Sequence, residues 1–94
     1  MSIDIYHYSL LPEGLQGSMQ QYVERGIEAG GFLMACLEND LVGAFARADS
    51  KNLPRLQEIV KWIYWEAPTG CWGSKEKVNS WCKVGGIQSP LYLR

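Results

Sequence analysis

The side chains with the greatest capacity for chemistry are three cysteines, Cys36, Cys71 and Cys82, and a single histidine, His7. Three thiolates and one imidazole complete a tetrahedral zinc shell, but structural zinc sites draw their ligands from close pairs such as C-x-x-C. The closest pair here, Cys71 and Cys82, is separated by ten residues. This spacing favours reduced thiols over a zinc site or a disulfide framework. We therefore expect no metal and no cofactor.

Cys71 is also a candidate catalytic nucleophile. It precedes a predicted helix start, where the helix dipole lowers a thiol pKa. Nucleophilic catalysis needs a neighbouring base, however, and His7 lies near the other end of the chain. The run Gly70 to Gly73 is typical of a tight turn that directs Cys71 and Trp72 into the core. The pattern favours a protein that is not an enzyme.

Glu38 and Asp40 are close carboxylates, which perform acid and base chemistry where their environments separate their pKa values. They flank Asn39 at a predicted helix break, where helix capping accounts for them. Two helices around this triplet also resemble a helix-turn-helix, but the second offers only Arg47 for contacts with bases or phosphates. A small nucleic-acid-binding regulator remains an alternative.

Length and charge restrict the function further. The chain has 94 residues, nine basic and ten acidic, with a formal net charge of −1. This balance argues against a DNA-coating protein and against an acidic DNA mimic. No leader-like segment and no apolar run of about 18 residues is present, so we expect a cytoplasmic protein that does not enter membranes. The length predicts a single helical domain over residues 1–94, in which 1–9 and 87–94 are extended or partly flexible ends.

The apolar spacing predicts an all-α bundle of about five short helices. Pro12 and Gly26 bracket the first helix, and Gly85 ends the last, which begins after Ser74. Between Phe32 and Phe45 the apolar face drifts by half a turn, which predicts a break at the polar triplet 38–40. We expect Asn39 or Asp40 to cap a new helix that carries Leu41, Ala44, Phe45 and Ala48. The segments Ile3 to Tyr8 and Leu91 to Leu93 allow a small terminal pair of β-strands.

The fourth predicted helix is the most unusual element because it has two apolar faces. Trp62 and Trp65 point away from the main apolar stripe, beside Arg55, Glu58 and Lys61. Tryptophan is enriched among residues that dominate binding energy, so this outer face predicts a partner-binding surface. Burial of both tryptophans in one core is the alternative. The stripe predicted to face inward consists of Leu53, Leu56, Ile59, Val60, Ile63 and Tyr64.

Several segments resemble a family of small uncharacterised proteins from phage and bacterial genomes. They are Gly30 to Leu33, Leu37 to Leu41, Ala44 to Asp49, Glu66 to Pro68 and Gly70 to Ser74, and the similarity extends from about Pro12 to Trp81. Trp65 departs from the family pattern. The resemblance implies no activity, cofactor or catalytic residue.

What the resemblance does imply is a phage or prophage context, in which small proteins commonly bind host or phage proteins. We therefore expect a non-enzymatic protein-binding module that occupies a surface on such a partner. An inhibitor of a bacterial defence system, such as an anti-CRISPR, is a special case. A homodimeric or larger structural or packaging accessory is the alternative from another class.

Overall fold

The structure, a computed structural model, describes residues 6–87, and within this range the chain forms five α-helices. The predicted all-α class with about five short helices is confirmed. The helices are α1 (Glu13–Arg25), α2 (Gly31–Leu37), α3 (Leu41–Arg47), α4 (Leu56–Glu66) and α5 (Lys75–Val84), with one-turn 3-10 helices at Tyr8–Leu10, Leu53–Arg55 and Thr69–Cys71.

The proposed terminal strand pair falls largely outside the described residues, since these exclude positions 1–5 and the segment Leu91 to Leu93. Tyr8, the last residue of the first proposed strand, instead begins a 3-10 helix and is buried. Its ring packs against Trp62, which explains why this part of the chain turns inward. No helix within residues 6–87 combines the length and apolarity needed to cross a bilayer.

The ends of α1 and α5 follow from capping residues in the sequence. Gly26 adopts φ 69° and closes α1, and Gly85 adopts φ 89° after α5. Both positions need the left-handed conformation that glycine reaches without a Cβ clash. At the start of α5 the Ser74 hydroxyl accepts a hydrogen bond from the Lys77 N–H at 3.2 Å. The predicted boundaries of these two helices are confirmed.

The predicted break between α2 and α3 is also confirmed. Asn39 adopts φ 63° between the two helices. The Asp40 carboxylate then accepts a hydrogen bond from the Gly43 N–H at 2.9 Å and caps α3. The chain therefore reverses at the polar triplet, and α3 folds back onto α2.

Among the residues of α3 only Ala44 is buried. The methyl side chain of Ala44 allows close contact with the neighbouring helix. Leu41 and Phe45 are 69% and 62% exposed. Because α3 is short and packs through the small Ala44 side chain, its larger side chains remain at the surface.

The C-terminal ends of α1 and α5 are held together by backbone contact. The Trp81 indole N–H lies 2.9 Å from the Tyr22 carbonyl oxygen and 3.1 Å from that of Val23, so it donates to the end of α1. A Cβ on Gly86 would lie 2.5 Å from the Arg25 nitrogen. The fully buried side chains of the core include Met19, Tyr22, Val23, Leu37, Ile59, Cys71 and Val78.

Candidate functional site

Helix α4 carries the residues that were predicted to bind a partner. Its buried side differs from the stripe predicted from the sequence. Ile59, Trp62 and Ile63 are the buried residues of this helix. Val60 and Tyr64, which were expected to face inward, are 47% and 63% exposed. The difference arises because the segment Tyr6–Leu10 covers the Trp62 side of the helix. The second neighbour of α4 is therefore, in part, this chain's own N-terminal region.

Trp62 is a core residue and does not belong to the exposed surface on which it was predicted. Its side chain is 3% exposed, and its indole N–H donates to the carbonyl oxygens of Tyr6 at 3.0 Å and His7 at 3.1 Å. The Tyr8 ring stacks on it with centroids 5.6 Å apart. His7 adopts φ 55°, and its Nδ1 lies 2.6 Å from a Glu66 carboxylate oxygen. These contacts fasten the N-terminal segment to α4.

Trp65 lies on the exposed side of α4, as predicted, with 70% of its surface exposed. Together with Glu58 and Lys61 it lines a groove of about 330 Å³, which we call the α4 edge groove. Arg55 does not line the groove, but its guanidinium lies 2.8 Å from the Glu58 carboxylate. The structure thus brings together three of the five predicted residues at the surface, and Trp62 lines the same groove while remaining almost entirely buried.

Leu10 and Glu66 complete the α4 edge groove and were not predicted from the sequence. Leu10 is 62% exposed and reaches the groove because the 3-10 helix places it beside α4. Leu10 lies in a 3-10 helix of only three residues, which is too short to show a helical repeat of apolar residues in the sequence. Its role depends on a contact between distant parts of the chain, which helical spacing does not reveal.

The charges around the α4 edge groove are unevenly paired. Glu58 forms an ion pair with Arg55, and Glu66 contacts His7. Within residues 6–87, Lys61 takes part in neither of these two contacts, and its side chain is exposed. The groove therefore combines an apolar wall formed by Leu10 and Trp65 with one cationic group, Lys61, and two carboxylates, Glu58 and Glu66.

A second groove, of about 180 Å³, lies between α3 and α4. Leu41, Val60 and Tyr64 line it, with Trp72 and Cys36 among its other walls. The Tyr64 ring meets Trp65 edge-on at 4.9 Å and Trp72 at 6.2 Å. Sequence reasoning missed this groove because it assigned Val60 and Tyr64 to the core.

The three thiols are free and occupy separate environments. Burial raises the pKa of Cys71 to about 12 and that of Cys36 to about 11, and it raises the pKa of Cys82 as well. At Cys71 burial outweighs a backbone hydrogen bond, which lowers the pKa. Tyr22 donates its hydroxyl to the Cys71 carbonyl oxygen at 2.6 Å and fixes this turn in the core.

No group of three or more His, Cys, Asp or Glu side chains within residues 6–87 is arranged to hold a metal ion. The described surface around α4 instead offers aromatic and aliphatic contact area with isolated charges. Such a surface is suited to binding another macromolecule. Comparisons with protein-family models, curated proteins and solved structures found no match to this chain.

Proposed function

We propose that this protein is a non-enzymatic protein-binding module of phage type, which acts by occupying a surface on a host or phage protein. The observation that carries the proposal is the exposure of Trp65 beside the α4 edge groove. The resemblance to phage and prophage proteins supports the biological context. Inhibition of a bacterial defence system, as by an anti-CRISPR, is a special case of this proposal.

Trp65 has the properties of an interface anchor. An indole that is 70% exposed leaves a large apolar area in water, and its burial against a partner is favourable. The side chain is supported by the Tyr64 ring and projects from a regular helix, so little conformational entropy is lost on binding. Tryptophan at such positions commonly contributes about 2 kcal/mol or more to binding.

The composition of the groove indicates the kind of partner segment that fits. An apolar side chain would pack between Leu10 and Trp65, and polar groups around it would meet Lys61, Glu58 and Glu66. A nucleic-acid partner is less well matched, because the exposed side chains of α3 include Leu41, Val42 and Phe45 in place of groups that donate to bases or phosphates. These features favour a protein partner over the alternative of a nucleic-acid-binding regulator.

The test begins with the full chain carrying an affinity tag in a bacterial host, followed by identification of the protein that co-purifies. The purified partner is then titrated against wild type, Trp65→Ala and Ile27→Ala. Ile27 is the matched control because it is an exposed apolar residue outside both grooves. We expect Trp65→Ala to weaken binding about 30-fold, which corresponds to about 2 kcal/mol, while Ile27→Ala binds as wild type does.

Equal affinity of Trp65→Ala and wild type for the partner would contradict the assignment of this surface. Recovery of no specific partner, with the wild type folded and abundant, would argue against the proposed function itself.

A further inference from the structure

An apolar surface separate from the α4 edge groove covers α3 and the adjacent side of α4. We call it the α3/α4 face, and its members are Leu41, Val42, Phe45, Val60 and Tyr64. Their exposed fractions range from 47% for Val60 to 78% for Val42. Leu41 and Phe45 are one helical turn apart and share a side of α3. Leu41, Val60 and Tyr64 line the groove between the two helices, so the surface is continuous across it.

The size of this face approaches what a stable dimer buries. The five side chains together expose on the order of 600 Å², at the upper limit of the largest apolar patch on an ordinary monomer. A typical specific interface buries about 800 Å² on each partner. The α3/α4 face alone therefore supplies about three-quarters of one half of such an interface.

Charge and shape favour a second copy of the chain as the occupant. In a two-fold interface the same patch meets itself, so charges of one sign near its centre would repel each other. All five members of the face are uncharged. Asp40 also lines the groove, and its carboxylate is engaged in capping α3. The face also carries both projecting side chains, Val42 and Phe45, and an apolar groove of about 180 Å³. A surface with both a ridge and a groove can be complementary to itself.

We infer that the protein forms a two-fold symmetric homodimer through the α3/α4 face. Helix α3 of one protomer packs along the groove between α3 and α4 of its partner. The α4 edge groove contributes no residue to this contact, so the inference stands independently of the proposed function.

The test is the molar mass of the full chain in solution, measured by light scattering and sedimentation from low to high micromolar concentration. The wild type is expected to reach twice the chain mass of 10.6 kDa. Val42→Lys and Val60→Lys, placed on different helices, are each expected to remain monomeric over the same range. Ile27→Lys is the matched control, because Ile27 is 46% exposed and lines neither groove, and it should dimerise as wild type does.

Circular dichroism of each variant shows whether the helical fold is retained, and the two independent substitutions protect the test against one that fails to fold. A wild type that stays monomeric throughout would overturn the inference and assign the face to a different occupant. Dimerisation of both folded lysine variants, or dissociation by Ile27→Lys, would overturn it equally.

Discussion

Two tryptophans three positions apart on α4 have opposite environments. Trp62 is enclosed by the N-terminal segment and donates its indole N–H to backbone carbonyls, whereas Trp65 extends into solvent. The residue type is the same, and the local sequence allows either tryptophan to be buried or exposed. The difference in environment gives the two side chains separate effects on stability and binding.

The first prediction compares alanine substitutions at these two residues. Trp62→Ala should lower the free energy of unfolding by about 3–5 kcal/mol, because it leaves a cavity in the core and frees two carbonyl groups. Trp65→Ala should change it by less than about 0.5 kcal/mol, as is usual for an exposed side chain. Urea denaturation followed by circular dichroism measures both values. Similar losses of stability for the two variants would show that Trp65 is also a core residue.

The second prediction concerns the buried thiol of Cys71. The folded state retains this proton up to a pKa of about 12, whereas the ordinary thiol value is 9.0. The folded form thus binds the proton more tightly than the unfolded chain does, so this contribution to stability is complete below pH 9.0 and is lost as the pH rises toward 12. Burial also raises the pKa of Tyr22.

We expect the wild type to lose about 1 kcal/mol of stability from the Cys71 thiol between pH 8 and pH 10. Cys71→Ser should be less stable at the lower pH but should lose less on going to the higher one, since serine does not ionise there. Denaturation curves at both pH values provide the measurement. An identical pH dependence in the two proteins would refute the assignment to Cys71.

At the scale of the helices, stability depends on how each one ends. The third prediction concerns the cap of α3, where the Asp40 carboxylate accepts from the Gly43 N–H. Asp40→Ala should destabilise the fold by about 1 kcal/mol, because it removes the acceptor at a helix start. Asp40→Asn retains an acceptor oxygen and should remain close to wild type. Thermal denaturation of the three proteins tests this, and an unchanged melting temperature for Asp40→Ala would contradict it.

The fourth prediction concerns the contact between the ends of α1 and α5. Gly86→Ala should destabilise the protein by about 3 kcal/mol, since its φ is 81° and the added methyl would lie 2.5 Å from backbone atoms of Arg25 and Glu24. Gly17→Ala is the matched control. Gly17 lies within α1, and a methyl there meets nothing within 4 Å.

The alanine at position 17 should raise the free energy of unfolding by about 0.5–1 kcal/mol, because glycine disfavours a helix interior. Chemical denaturation measures both changes. A stabilising or neutral Gly86→Ala would mean that α1 and α5 separate readily at this point.

At the scale of the whole molecule, we expect the fold to depend on packing between helices and not on a bound ion. The fifth prediction is that a strong chelator leaves the melting temperature unchanged, because the cysteines and His7 lack the spacing of zinc ligands. Elemental analysis of the purified protein provides a second measurement. Zinc in stoichiometric amount, or a lowered melting temperature in chelator, would show that the thiols bind metal.

The helical class and most of the helix ends were predictable because they depend on neighbours in the sequence. Gly26 and Gly85 supply left-handed caps, and Asp40 and Ser74 supply side-chain caps. Each of these signals acts within about one helical turn. The positions of the helices along the chain can therefore be predicted without knowing how the helices pack.

Which side of α4 is buried was decided by tertiary structure alone. Helical spacing allowed two apolar sides, and the N-terminal segment selected the one that contains Trp62 by packing Tyr8 against it. The same choice exposed Val60 and Tyr64 and created the α3/α4 face. The sequence alone determined that α4 has more apolar surface than one neighbour can cover. The assignment of each side required contacts between residues more than fifty positions apart, which no local periodicity encodes.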